Sequence, residues 1–277
     1  YYKMAADAGD ANSMNNYAYL MQLGKCGPVD VVQIFEYYEK AIKKGHPGAM
    51  YNVAMMFEKG YGSTPDKRKA LEYYKMSADH GDSDGMYKYA RLLDTGDGVP
   101  IDKEEAMKYY KMAADKGEVK SMNCYAYMND HGDGVPVRKR EAVKYYKKAI
   151  ENGNEKAMFN YALLLQTGAG VLVNKKDASK YYKMAADRGF SAAMNKYAIM
   201  LDDGDGVPIN KQEALRYYRM AIDKGDVDEI LRCAVLLDNG DGVQINHEEA
   251  IKYYQIAADN GDLQAKMILF KKKKEKA

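Results

Sequence analysis

The chain has 277 residues, 47% of them hydrophobic and 30% charged, with a net charge of +2, a composition that fits a soluble folded protein and argues against disorder outside the tail. No apolar run approaches the ~18 residues that cross a bilayer, and the opening YYKMAADAGD lacks the basic start and apolar stretch of a signal peptide. Residues 271–277 supply +4 of the charge and leave −2 over residues 1–270, so the body does not bind polyanions by charge.

Tyr-Tyr pairs begin at Tyr1, Tyr37, Tyr73, Tyr109, Tyr145, Tyr181, Tyr217 and Tyr253, always 36 residues apart. A fixed period of this length is the signature of stacked supersecondary units, which overrides any domain count drawn from length. The expected organisation is a single array over 1–277: a lone second helix at 1–9, seven complete repeats at 10–261, and a terminal helix with a Lys-rich tail at 262–277. The chain opens in mid-pattern and without Met, which points to a longer parent protein.

Each unit reads as two helices. In residues 190–225, Ala193, Met194, Tyr197, Ala198 and Leu201 form one helical stripe, and Ala214, Tyr217, Tyr218, Ala221 and Ile222 form another. The second helix is predicted to start at a capping residue followed three positions later by an acid or amide: Asp30/Gln33, Asp102/Glu105, Asn174/Asp177, Asn210/Glu213 and Asn246/Glu249. Arg138 breaks this pattern and predicts a less firmly started helix. Glycine stops the second helix at Gly9, Gly45, Gly81, Gly117, Gly153, Gly189, Gly225 and Gly261. A G-x-G loop joins the two helices from Gly60/Gly62 onward. The first unit has Gly24 but Cys26 in the second place. Val99, Val135, Val171, Val207 and Val243 are expected to plug the loop into the core. Rows of small residues, Ala18 to Ala234 and Ala5 to Ala257 with Ser77 among them, mark close helix approach. A single unit buries too little to offset the entropy of ordering its backbone, so neighbours must supply the rest.

Small residue, Y/L-A, G-x-G-V, an Asp/Asn cap and A-x-x-Y-Y-x-x-A-A-x-x-G together resemble the Sel-1-like repeat, a relative of the tetratricopeptide repeat, over essentially the whole chain. Tyr-Tyr stands where that family usually has Trp-Tyr, and Ala replaces its usual Gly in the first helix. The resemblance implies an all-α, right-handed α/α superhelical solenoid of 36-residue helix-turn-helix repeats, and a role as a non-enzymatic scaffold or adaptor.

By similarity to tetratricopeptide arrays, the first helices line a concave groove. The candidate peptide-binding residues are Asn15, Tyr19, Tyr51, Met55, Tyr87, Arg91, Asn123, Tyr127, Phe159, Leu163, Asn195 and Ile199. Leu231 and Val235 continue these rows, and Asp84, Lys120 and Lys156 flank them. An outer row is acidic at Glu58, Asp94, Asp130, Asp202 and Asp238, which sets two readings side by side: a partner segment with some basic character, or merely solvated helix ends.

The four histidines, His46, His80, His131 and His247, fall at different phases of the repeat, and no cysteine joins them at ligand spacing, so no metal or other cofactor is expected. The D-D-G-D-G run at Asp202–Gly206 places Leu201 and Gln212 at the two key ends of a calcium loop, and the G-x-G lies between helices instead of after a strand. Cys26, Cys124 and Cys233 also differ in phase, which favours a reducing compartment. The expectation is a cytoplasmic monomer with a protein or peptide partner and no nucleic acid, although Lys271–Lys276 permits nuclear import. More simply, those lysines suit a helix C-terminus and shield the end of the stack. RNA binding, which needs a basic groove with stacking aromatics, and a hydrolase-like or regulatory part of a larger enzyme are the alternatives.

Overall fold

The computed structural model describes residues 1–275, and these form sixteen α-helices and no strand. The first unit of the chain, Tyr1–Ala149, contains α1 (Tyr2–Asp7), α2 (Ala11–Gln22), α3 (Val31–Lys43), α4 (Pro47–Lys59), α5 (Lys67–Asp79), α6 (Ser83–Thr95), α7 (Lys103–Asp115), α8 (Val119–His131) and most of α9 (Lys139–Glu151). The second, from Ile150 onward, contains α10 (Glu155–Thr167), α11 (Lys175–Asp187), α12 (Ser191–Asp203), α13 (Lys211–Asp223), α14 (Ile230–Asn239), α15 (His247–Asp259) and α16 (Leu263–Glu275). Even-numbered helices are the first helices of the repeat and odd-numbered ones the second.

The start signals work as the sequence implied. Asp30, Asp102, Asn174, Asn210 and Asn246 accept from the backbone N–H three residues on, at 3.0–3.1 Å, which satisfies an amide that the helix itself leaves unpaired. Despite Arg138, α9 begins in the same register as α7 and α11. The first helices carry caps that the sequence reading did not single out: Asp10, His46, Asp82, Glu118 and Asn154.

The loop glycines set how one repeat seats on the next. Gly98 has φ +75°, and a Cβ there would stand 2.8 Å from Cβ of Lys67, the first residue of α5. The loop of one repeat therefore rests directly on the start of the second helix of the preceding repeat.

Ala18, Ala54, Ala90, Ala126, Ala162, Ala198 and Ala234 are all fully buried, as are Ala41, Ser77, Ala113, Ala149, Ala185 and Ala221. The tyrosines divide into two kinds of staple. Tyr37, Tyr109, Tyr145 and Tyr217, first in their pairs, donate 30 residues back into the second helix of the preceding repeat, to Asp7, Asp79, Asp115 and Asp187, at 2.5–2.8 Å. The second Tyr in most pairs donates 16 residues back, to the first helix of its own repeat, as Tyr74 does to Glu58 at 2.5 Å and Tyr110 to Asp94 at 3.2 Å, whereas Tyr218 Oη is buried with no partner among the described residues. Rings also meet edge-on within a repeat, as in Tyr89–Tyr109 and Tyr125–Tyr145.

One expectation needs correction, and one helix departs from the pattern of the others. Only Val99 is buried, whereas Val135, Val171, Val207 and Val243 are half-buried, since each has the loop on one side and water on the other. Helix α14 starts late and has 10 residues where α12 has 13. Asp226, at the place of a first-helix cap, accepts instead from Asn195 Nδ2 at 2.7 Å and from the Asp228 N–H at 3.4 Å, so the turn before α14 stays open.

A candidate protein-binding face on the first helices

In the first unit, Asn15 is half-buried and accepts from Asn52 Nδ2 at 2.9 Å. Tyr51 and Tyr87 occupy the same row one and two repeats on. Each is half-buried and leans on the buried second tyrosine of its own repeat, Tyr51 on Tyr74 at 5.6 Å and Tyr87 on Tyr110 at 6.1 Å between centroids. Burial, then the carboxylates of Asp84 and Asp82, push the Tyr51 phenol up to about 12. Lys120 Nζ lies 5.7 Å from the centre of the Tyr87 ring. Asn123, next in this row, is half-buried.

The neighbouring row is the more open one. Tyr19 is 44% and Tyr127 42% exposed, Arg91 is exposed and Met55 half-buried. Tyr127 stacks on His131 with centroids 4.0 Å apart, and Arg91 Nη2 lies 3.4 Å from Glu58 Oε1. Apart from Tyr1 and Tyr2, these are the only exposed tyrosines among the described residues.

In the second unit, Phe159 is half-buried, edge-on to Tyr182 and Phe190 at 5.5 and 5.2 Å. Leu163, Ile199 and Val235 hold the equivalent place in their own repeats and are half-buried, an aliphatic set within this unit. Asn195 differs from its row: it is 6% exposed and tied to Asp226, so it is an internal tether and not a contact surface. Beside Leu231 and Val235 a cavity of about 490 Å³ opens, lined also by Asp228, Glu229 and Arg232. Burial raises the Glu229 carboxyl above the usual carboxylate range, against the pull of Arg232.

The acidic outer row fits neither expectation, a docking strip for a basic segment or a set of solvated helix ends. Glu58 accepts from Tyr74 and Lys88, Asp94 from Lys103 and Tyr110, Asp130 from Lys139 and Tyr146, Asp202 from Lys211 and Arg232, and Asp238 from Lys272 and Tyr254. Burial pushes Glu58 up, but hydrogen bonds from Tyr74 and Lys88 outweigh it and hold the carboxyl below its ordinary value. Where the row has an amide, Gln22 and Gln166, Tyr38 and Tyr182 still find their acceptor at 3.1 Å. The acids are thus internal staples whose charge is already met.

The lysine partners carry a periodic signal of their own in the sequence. Lys67, Lys103, Lys139, Lys175 and Lys211 recur every 36 residues at the start of the second helix. Lys67, Lys103, Lys175 and Lys211 reach forward to the loop carboxylates Asp97, Asp133, Asp205 and Asp241 at 2.7–2.9 Å. The loop acids that invited a calcium reading are therefore occupied by ammonium groups.

No group of three or more His, Cys, Asp or Glu among the described residues is placed to hold a metal ion. The cysteines form no disulfide, and among the described residues no helix is long and apolar enough to cross a membrane. In the terminal cluster Lys271, Lys273 and Lys274 are exposed, Lys272 bonds Asp238, and Lys276 lies outside the described residues.

A family model described as Sel1 repeat matches residues 1–10, 11–46, 47–82, 83–118, 119–154, 155–190, 191–226 and 230–262. The last match begins late, where α14 does. Among solved structures, a protective antigen of uropathogenic Escherichia coli displaying an SLR fold is 23% identical with a TM-score of 0.90, over 95% of this chain and 56% of that one. This chain thus spans little more than half of that antigen. A Sel1 repeat protein from Oxalobacter formigenes is 22% identical with a TM-score of 0.82, over 98% of this chain and 78% of the other. A search of curated proteins found no match. At these identities the two structures speak for the fold: an all-α solenoid of 36-residue helix-turn-helix repeats.

Proposed function

This chain belongs to the Sel1 repeat family, and on that premise we propose that it is a non-enzymatic interaction scaffold whose first helices hold a segment of a partner protein. Repeats of this kind generally mediate contacts between proteins. The observation that carries the reading is the exposure of Tyr19 and Tyr127 on one row, in a chain that anchors nearly all its other tyrosines in the core or against it. Half-exposed aromatics backed by rigid packing lose little side-chain freedom on binding, which is how interface anchors act.

The partner contact is mainly apolar and aromatic. Tyr19, Met55 and Tyr127 serve it in the first unit, and Phe159, Leu163 and Ile199 in the second. Arg91, Lys120 and Lys156 supply polar edges. The neutralised acidic row removes the main argument for a basic segment. Asp84, exposed beside Tyr51, leaves room for one cation locally.

The test is affinity capture with the intact protein beside two variants of verified Tm, Arg91→Ala/Tyr127→Ala on this face and Arg140→Ala/Lys144→Ala on the second helix α9. Partners lost with the first variant and kept by the second support the reading. Identical partner sets for both variants reject it.

A further inference from the structure

Two of the buried side-chain oxygens that lack a partner among the described residues lie on one helix: Ser121 Oγ and Asn129 Oδ1, both on α8. Both residues are 0% exposed. Asn129 stands where other first helices place Met21, Phe57, Leu93, Leu165, Leu201 and Leu237. Its Nδ2 donates to the Tyr125 carbonyl at 2.8 Å, while its Oδ1 is buried with no donor among the described residues. A buried acceptor with no donor loses its hydration without replacement. Ser121 repeats the fault: its place holds Ser13, Ala49, Gly85, Ala157 and Ala193 in other repeats, and of the two serines only Ser121 Oγ is buried without a partner.

The same repeat carries a third departure. Arg138 occupies the place held by Asp30, Asp66, Asp102, Asn174, Asn210 and Asn246, and a guanidinium has no acceptor to offer the first amides of α9.

We propose that residues 119–154 form a built-in weak link, a repeat that opens locally while its neighbours stay closed. In a solenoid each repeat leans only on adjacent ones, so defects gathered in one unit lower the free energy of opening at that point. The element concerned also presents Lys120, Asn123 and Tyr127, so the binding face is adjustable there. That use rests on the binding reading above. The opening itself does not, and measurements on the free protein test it alone.

Hydrogen exchange read by mass spectrometry on the intact chain at neutral pH is the experiment. Amides of α8 are expected to exchange at least about tenfold faster, after correction for intrinsic rates, than those of α6 and α10. Asn129→Leu should slow them about ten- to hundredfold, with Asn129→Met as the second variant should leucine overpack. Leu93→Asn should transfer the fast exchange to α6. Equal rates in α6, α8 and α10, no slowing by either Asn129 variant, or no acceleration by Leu93→Asn would each overturn the proposal.

Discussion

A tyrosine hydroxyl separates the two positions of each Tyr-Tyr pair, which look alike as rings. Tyr109 reaches Asp79 in the preceding repeat at 2.8 Å, and Lys75 reaches both at 3.1–3.2 Å, so this phenol helps to hold repeat to repeat. Tyr74 instead reaches Glu58 inside its own hairpin. Removing the first hydroxyl alone, by Tyr109→Phe, is expected to cost about 1 kcal/mol, because Asp79 is half-exposed and water replaces part of the bond. Tyr74→Phe should cost more, about 2 kcal/mol, since Glu58 is 9% exposed and a charge-assisted bond is lost. Urea denaturation of both variants checks the order. Equal losses would show that burial of the acceptor does not matter here.

At the scale of the element, the glycines of the joining loop and those that stop the second helix share a backbone conformation but differ in what lies against them. Gly98 and Gly225 both have positive φ, +75° and +81°. A Cβ on Gly98 meets the Lys67 side chain at 2.8 Å, whereas one on Gly225 has nothing within 4 Å. Gly225→Ala should therefore cost only the left-handed backbone strain, about 1 kcal/mol. Gly98→Ala adds a displaced repeat contact and should cost at least about 2 kcal/mol. Thermal melts of the two variants give the difference, and a smaller loss at Gly98 would refute the seating of loop on helix start. The late start of α14 belongs to the same scale: Asp226 has the identity of a cap, yet Asn195 from another helix claims its oxygen.

For the whole molecule, the staples make stability depend on pH at both ends. For Glu58, Asp79, Asp187, Asp238 and Glu249 burial raises the pKa, but hydrogen bonds and nearby cations more than reverse it. Asp115 is lowered chiefly by its bonds from Lys111 and Tyr145. A carboxyl lowered in the folded state stabilises fully above its unfolded value, near 4, and loses that contribution as pH falls through the folded value. Asp84 and Glu229 are raised by burial and oppose this trend, but the lowered carboxyls outnumber them. The phenols run the other way. Burial raises Tyr74, Tyr110, Tyr182 and Tyr218, so their contribution is complete below about pH 10 and fades above it. Urea midpoints are expected to fall below about pH 4 and again above about pH 10, with phenolate absorbance appearing together with helix loss. Phenolate forming while the helices remain would count against the burial of these rings.

Much of this was written in the chain. The 36-residue period, the paired helical stripes, the Asp and Asn caps and the glycine stops are local or strictly periodic signals, and each depends on chemistry within a few residues, so the repeat and its all-α hairpins could be read directly. Which charges remain available could not. Glu58 and Asp94 look like a row open to a ligand until folding brings tyrosines from 16 residues on and lysines from nine residues on against them. Asn195 looks like a groove residue until Asp226 approaches it. The orphaned oxygens of Ser121 and Asn129 become costly only in a dry interior. Long-range partners decide the charge and hydration of a side chain, and only the tertiary structure supplies them.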